Sequence, residues 1–359
     1  MNKKITPTPK KKVKIALQGG GSYGAFSWGV LDRLLEDDRI EITAASGASA
    51  GAMNAVAMAQ GMDENGIQGA REHLAKLWDI LEYKNFIQEI SAFNKFASKN
   101  KKQKKVSKPK PMQGVKSAFQ ITVMAAMKNT HEILERLLLR AINFQTLKYN
   151  TDGFPFFVST TEIDENICRV FDRNDISAKA LTASCAIPMM IGTVKIDGKR
   201  YWDGGLTDNP AIFAMDEIEG DLIVIQTFPI VSEDVKKTPL AVRLNTLRSN
   251  ASIRKDINAI QKDNARHDRD PKAAEKLGIR KTHTHLIHGD CDISPGHAMN
   301  FTRSHTDTLF EKGRAAADAW LKENFDNIGV NSTFKADYKD PPPPHQQRST
   351  SNPKGARRP

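Results

Sequence analysis

The chain is expected to fold as an α/β domain with a mainly parallel sheet. Three observations predict it. Short apolar runs alternate with longer stretches of helical periodicity from residue 13 to about 325. A glycine cluster follows the first such run, at the point where a strand turns into a helix. No apolar run approaches the roughly eighteen residues of a membrane-spanning helix, which argues against an integral membrane protein.

The elements follow in order. Residues 13–17 (Val-Lys-Ile-Ala-Leu) alternate and then turn wholly apolar, as a strand entering a sheet does. They are too short for a signal-peptide core. Residues 24–35 place Phe26, Val30 and Leu34 at helical spacing. Residues 40–45 read as a second strand, and the Ala- and Met-rich residues 49–60 as a buried helix. An amphipathic helix is expected over 70–81 and another over 131–141. Strands are expected at 155–160 and 167–171, then a helix over 178–185 stopped by Pro188. Asp197-Gly198 marks a hairpin turn, and residues 201–210 read as a loop. Residues 222–228 form the clearest buried strand. A polar helix over about 240–268, an edge strand at 284–287 and a final helix over about 303–325 complete the pattern.

Charge divides the chain differently. The formal net charge is +11, yet residues 1–14 hold six lysines and residues 95–116 hold nine, with no acid in either. Residues 335–359 add +4, leaving −8 on everything else. The expected organisation is therefore a flexible basic arm (1–12), a folded α/β domain (13–330) with a Lys-rich insert at about 95–116, and a disordered, Pro-rich basic tail (335–359). Lysine runs attract polyanions. The insert has only Phe96 as an aromatic for base stacking, so no nucleic acid is expected, and peripheral contact with an anionic membrane fits better. Cys168, Cys185 and Cys291 are distant and odd in number. A reducing, cytoplasmic location is expected, possible contact with a membrane periphery aside.

Gly19-Gly-Gly-Ser-Tyr-Gly24 satisfies G-x-G-x-x-G between strand and helix. Three readings stand open. Such a loop holds a dinucleotide pyrophosphate, or offers backbone N–H groups to a developing oxyanion, or is a tight turn. The dinucleotide reading also needs an acid after the second strand, and Ala44-Ala-Ser46 supplies none. Gly47-Ala-Ser-Ala-Gly51 is a G-x-S-x-G elbow: serine on a sharp strand-to-helix turn projects its oxygen clear of the backbone. Its plain alternative is a small-residue turn. Activating Ser49 takes a base. His283, His285, His288, His297 and His305 lie late in the chain and read as exposed or capping residues. Asp203, in Tyr201-Trp-Asp-Gly-Gly205, is the better candidate, provided burial raises its basicity.

These motifs, in this order, resemble the patatin-like phospholipase family. Ala183-Ser-Cys-Ala-Ile-Pro188 and Asn209-Pro210 are similar to the family's segments around its Asp-Gly pair, and the likeness spans about residues 13–230. The resemblance implies a three-layer α/β/α fold and lipid ester hydrolysis by a Ser–Asp dyad through an acyl-enzyme; no cofactor is expected, and no metal, since His283, His285 and His288 lie on a polar, edge-like stretch. It assigns Ser49 as nucleophile and Asp203 as base, with Gly20, Gly21 and Ser22 forming the oxyanion hole. Gly19, Gly24, Gly47, Gly51, Gly204 and Gly205 are its motif glycines. Two departures stand out: Tyr23 lies where the family often carries Arg or Lys, and Gly205 where many members have Ala. The alternatives are a Ser-His-Asp esterase and a non-catalytic membrane- or nucleotide-binding protein.

Overall fold

The computed structural model describes residues 9–89, 91, 130–188, 190–228, 240–289 and 297–336. The Lys-rich insert, most of the basic arm and nearly all of the tail lie outside the described residues. Strand β1 (Lys11–Leu17) leads through a 3-10 turn (Gly21–Tyr23) into α1 (Gly24–Glu36). Strand β2 (Ile40–Ala48) leads directly into α2 (Ala50–Ile80). Then come α3 (Thr130–Ala141), α4 (Phe144–Tyr149), β3 (Phe156–Glu162), β4 (Ile167–Phe171) and α5 (Ala178–Ser184). The hairpin β5 (Val194–Ile196) and β6 (Lys199–Asp203) precedes β7 (Asp221–Gln226). Helices α6 (Leu240–Arg269) and α7 (Pro271–Lys276), strand β8 (Thr284–His288) and helix α8 (Arg303–Asn324) finish the domain.

The sheet order is β5-β6-β3-β2-β1-β7-β8, with β4 on the other edge of β3. Strands β3, β2, β1, β7 and β8 run parallel; β4, β5 and β6 pair antiparallel. Side chains alternate across it with the two-residue period of a strand. Val13, Ile15 and Leu17 join Ile223 and Ile225 in the larger core, which includes residues of α1, α2 and α8. Ala16, Leu222 and Val224 join Ile253 and Ile257 of α6 in a smaller core on the opposite face. The result is three layers. Even the polar register is used: Lys14 is buried on the α6 side, where its Nζ donates to the carbonyls of Met215 and Ile218 at 2.8 and 3.2 Å.

Several expectations change. Strand β1 starts two residues early, at Lys11, and β2 extends to Ala48, so the elbow serine is the first residue past a strand rather than the fourth. The helices expected over 49–60 and 70–81 abut across Asn65 and Gly66, where Gly66 takes φ 57°. Residues 201–203 belong to strand β6 instead of a loop, because they pair with Thr160–Glu162 of β3. The Asp197-Gly198 turn is as expected, with both residues at positive φ.

Glycine spacing sets the helix positions. A Cβ on Gly51 would lie 2.2 Å from the Leu17 carbonyl oxygen, and one on Gly47 would lie 2.4 Å from backbone atoms of Gly51. Strand ends β1 and β2 and the start of α2 are therefore in backbone contact. No helix of the described residues is long and apolar enough to cross a membrane. Gly51→Ala should cost about 1–3 kcal/mol of stability through this overpacking. Denaturant unfolding followed by circular dichroism measures it; an unchanged midpoint would contradict the close approach.

Candidate active site

The site is built by register. On β3, Ser159 faces Ala48 of β2, and the next residue, Thr160, faces Asp203 of β6. Strand β4 pairs with β3 continuously from Val158 to Glu162, so it occupies one edge. Strands β2 and β6 must therefore share the other edge. One runs parallel to β3 and one antiparallel, so they meet head to head. The residue that ends β6, Asp203, and the residue that follows β2, Ser49, are brought to the same point. The close approach of Gly204 to β3 completes the junction: a Cβ there would lie 2.1 Å from the Ser159 carbonyl oxygen.

Ser49 adopts φ 53°, ψ −124° at the N-terminus of α2 and makes no side-chain cap hydrogen bond. A non-glycine residue in this region is strained, and the surroundings must hold it there. Ser184 does so: the Ser49 N–H donates to Ser184 Oγ at 2.9 Å, and that hydroxyl donates to the Ser159 carbonyl at 2.7 Å. The Ser49 hydroxyl makes no cap bond and lies close enough to the Asp203 carboxylate to favour its charged form. The N-terminus of α2 beneath it favours negative charge on the oxygen.

Asp203 is 7% exposed and Ser49 8%. Burial pushes the Asp203 carboxyl up to about 6, against the opposing pull of the Gly205 N–H (2.8 Å from Oδ1), Ser49 and the positive charge of Arg248. Cys185 is also buried beside both. Burial and the neighbouring Asp203 charge raise its thiol well above the usual range, so it stays neutral.

The glycine loop lies against this pair. A Cβ on Gly19 would fall 2.9 Å from Ser49 Cβ. The Gly19 N–H donates to Asn209 Oδ1 at 2.7 Å, its carbonyl accepts from Thr227 Oγ1 at 2.8 Å, and the Asn209 N–H donates to Ser252 Oγ of α6 at 2.9 Å. Asn209 thus ties the loop to the segment following Asp203. Gly21 takes φ 61°, a conformation suited to glycine. Among the described residues no acceptor takes the Gly20 or Gly21 N–H. Ser22 and Tyr23 are buried, and Tyr23 packs edge-on against Phe228 at 6.2 Å. Tyr23 therefore fills the core at the place where the family often carries a cation.

His283, His285 and His288 lie in or next to strand β8. His285 is a correction: it is fully buried, not exposed or capping. Residues 332–334 and Trp320 cover the edge strand β8, and the His285 ring bonds Thr333 Oγ1 at 2.9 Å and Asp221 Oδ2 at 3.2 Å. Strand β8 is three strands from β2, about 14 Å at ordinary strand spacing. Among the described residues no histidine is a group that shifts the Asp203 pKa. Ser184 and Asn209, by contrast, were assigned no role from sequence. Each sits in a stretch that carries the family likeness, yet a buried hydroxyl and an amide give no spacing signal of their own.

A family model for patatin-like phospholipases matches residues 15–216, more than half of the chain. No curated protein matches. Among solved structures, VipD from Legionella pneumophila matches at 17% identity and a TM-score of 0.43, over 88% of this chain and 67% of that one. ExoU, from the heterodimeric ExoU-SpcU complex of the type III secretion system of Pseudomonas aeruginosa, matches at 14% identity and a TM-score of 0.37. That match covers 90% of this chain, which spans about half (53%) of the matched chain. With a family match that runs from the first strand past both the elbow serine and the strand-end aspartate, the chain belongs to the patatin-like phospholipase family.

Proposed function

We propose that the protein is a serine lipid acyl hydrolase that cleaves carboxylic esters of lipids through a Ser49–Asp203 dyad. The observation that supports the reading is the head-to-head meeting of β2 and β6 along β3, which brings Ser49 to a buried carboxylate, beside Gly20 and Gly21 N–H groups that no acceptor takes among the described residues. Asp203 accepts the hydroxyl proton as Ser49 Oγ attacks the ester carbonyl. The N–H groups of Gly20, Gly21 and Ser22 receive the oxyanion; one such donor is worth about 3–4 kcal/mol. The C–O bond breaks, the alcohol leaves with the proton from Asp203, and an acyl-Ser49 ester remains. Water, deprotonated by Asp203, then attacks that ester and releases the fatty acid and free Ser49.

In this reading the catalytic domain spans residues 13–330, and the Lys-rich insert at about 95–116 assists contact with anionic bilayers. Residues 1–12 and 335–359 are basic appendages. The working place is the cytoplasm, with contact at a membrane periphery.

Ser49→Ala should lower hydrolysis of short acyl esters by at least about 10³-fold and abolish labelling by a fluorophosphonate. Wild-type turnover by the purified variant would reject the nucleophile. Because Asp203 must be ionised to accept a proton, kcat/KM should fall about tenfold per pH unit below about 6. A profile flat from about pH 5 to 8 would remove Asp203 as the base. The same burial has a stability consequence. With its folded pKa raised above 3.8, Asp203 holds its proton more tightly folded than unfolded, so its contribution to stability is lost as pH rises from about 4 through about 6. Asp203→Asn, neutral throughout, should be inactive yet more stable above pH 6 by up to about 3 kcal/mol, with no gain below about pH 4. Urea unfolding at both pH values measures the difference.

A further inference from the structure

Helix α6 runs antiparallel to the central strands and is longer than the sheet it covers. Ile253 and Ile257 pack on Ala16, Leu222 and Val224, and Asn264 Nδ2 donates to the Thr282 carbonyl, just before β8 begins. Toward its N-terminus, the Ser249 carbonyl and Asn250 Oδ1 accept from Gln18 Nε2 at 3.0 Å each, and Asn250 Oδ1 accepts from Gln226 Nε2 at 2.8 Å. Gln18 follows β1 and Gln226 ends β7, so these bonds mark the edge of the sheet at which Ser49 sits. Everything before Ser249 therefore projects past that edge. Nine residues of helix, 240–248, make an overhang of about 13 Å beside the site. Its closeness to the chemistry is independently visible: the positive charge of Arg248 lowers the Asp203 pKa, and Ser252 holds Asn209.

The outward face of this segment is unusual for a water-facing helix. Leu244, Leu247, Arg248, Ala251 and Lys255 follow the i, i+3, i+4, i+7 spacing of one face and are all exposed. Leu244 is 58% and Leu247 65% exposed. Residues 240–255 carry Arg243, Arg248, Arg254 and Lys255 and no acid, inside a body that is otherwise net negative. Leucines flanked by cations, without a carboxylate, have the composition of an interfacial helix: the apolar side chains enter the head-group boundary and the cations meet lipid phosphates.

We propose that the overhanging face of α6, centred on Leu244 and Leu247, docks the protein on a bilayer bearing acidic phospholipid head groups and sets the Ser49 site at that surface. The proposal rests on the lipid-hydrolase reading for its purpose, and its test does not require turnover. The full chain carrying Ser49→Ala is mixed with vesicles of phosphatidylcholine, or of phosphatidylcholine and phosphatidylglycerol in equal parts, and bound protein is separated by flotation. Partition onto the phosphatidylglycerol vesicles should exceed that onto phosphatidylcholine and fall with added salt. In the same background, Arg243→Gln with Lys255→Gln should weaken binding to the acidic vesicles about 25-fold, about fivefold per cation. Leu244→Asp with Leu247→Asp should weaken binding to both vesicle types by at least about tenfold. Equal partition of all three proteins would overturn the proposal. A lowered thermal midpoint of the Leu→Asp pair would mean that the face is covered by another part of this chain; a changed elution volume without vesicles would mean a second copy covers it. Either result overturns the proposal too. Vesicle binding without ester cleavage by the Ser49 chain would count against the hydrolase reading alone, whereas cleavage of soluble esters without vesicle binding would count against the docking face alone.

Discussion

Two strands that end against each other on one edge of β3 are the constraint on which the rest depends. Strand β2 arrives parallel and β6 antiparallel, and their last pairs fall on consecutive residues, Ser159 and Thr160. Strand register is strongly specified where side chains are buried on a sheet face, since a one-residue slip turns every side chain to the other side. Here it specifies chemistry as well. A slip of either strand would separate the Ser49 hydroxyl from the Asp203 carboxylate or aim them at different faces. The antiparallel β5–β6 hairpin thus does more than extend a parallel sheet: it delivers a carboxylate from the opposite direction, to a point that a further parallel strand on that edge would pass.

Small residues make the junction possible. Gly47, Gly51 and Gly204 each sit where a Cβ would overlap backbone atoms of the facing segment. With those contacts closed, Ser49 can be held at positive φ, and the hydroxyl of Ser184 links its N–H to the Ser159 carbonyl. Strain at the elbow is therefore borne by a hydrogen-bonded path into the sheet. The same β3 residue that sets the register anchors the elbow and crowds Gly204.

In the proposed mechanism, burial supplies the base. An exposed carboxylate is a poor proton acceptor for a hydroxyl, and desolvation raises Asp203 toward neutrality while Gly205, Ser49 and Arg248 pull it back. The same environment holds Cys185 neutral, so a stronger nucleophile by nature stays silent next to the serine. Under the proposed mechanism, stability is exchanged here for reactivity, as buried ionisable groups at functional sites commonly require.

Much was legible in the residues themselves. Backbone demands leave local marks, so the strand before Gly19, the helix after Gly24, the elbow at Ser49 and the turn at Asp197-Gly198 all follow from glycine position and apolar period. The ordered motifs also identified Ser49 and Asp203 as the pair to join. What local pattern does not carry is pairing between distant segments. Residues 201–203 read as loop because Tyr-Trp-Asp has no period; they become a strand only when β3 offers an edge. His285 read as exposed because its burial depends on residues 332–334 and Trp320 arriving from the end of the chain. The roles of Ser184 and Asn209, and the rise of the Asp203 pKa, likewise come from groups far apart in sequence. The sequence by itself determined which side chains were available and which turns present them, because turn geometry is a property of a few consecutive residues. Only the tertiary structure decided that they meet, since register, desolvation and hydrogen bonding between remote segments exist once the sheet is assembled.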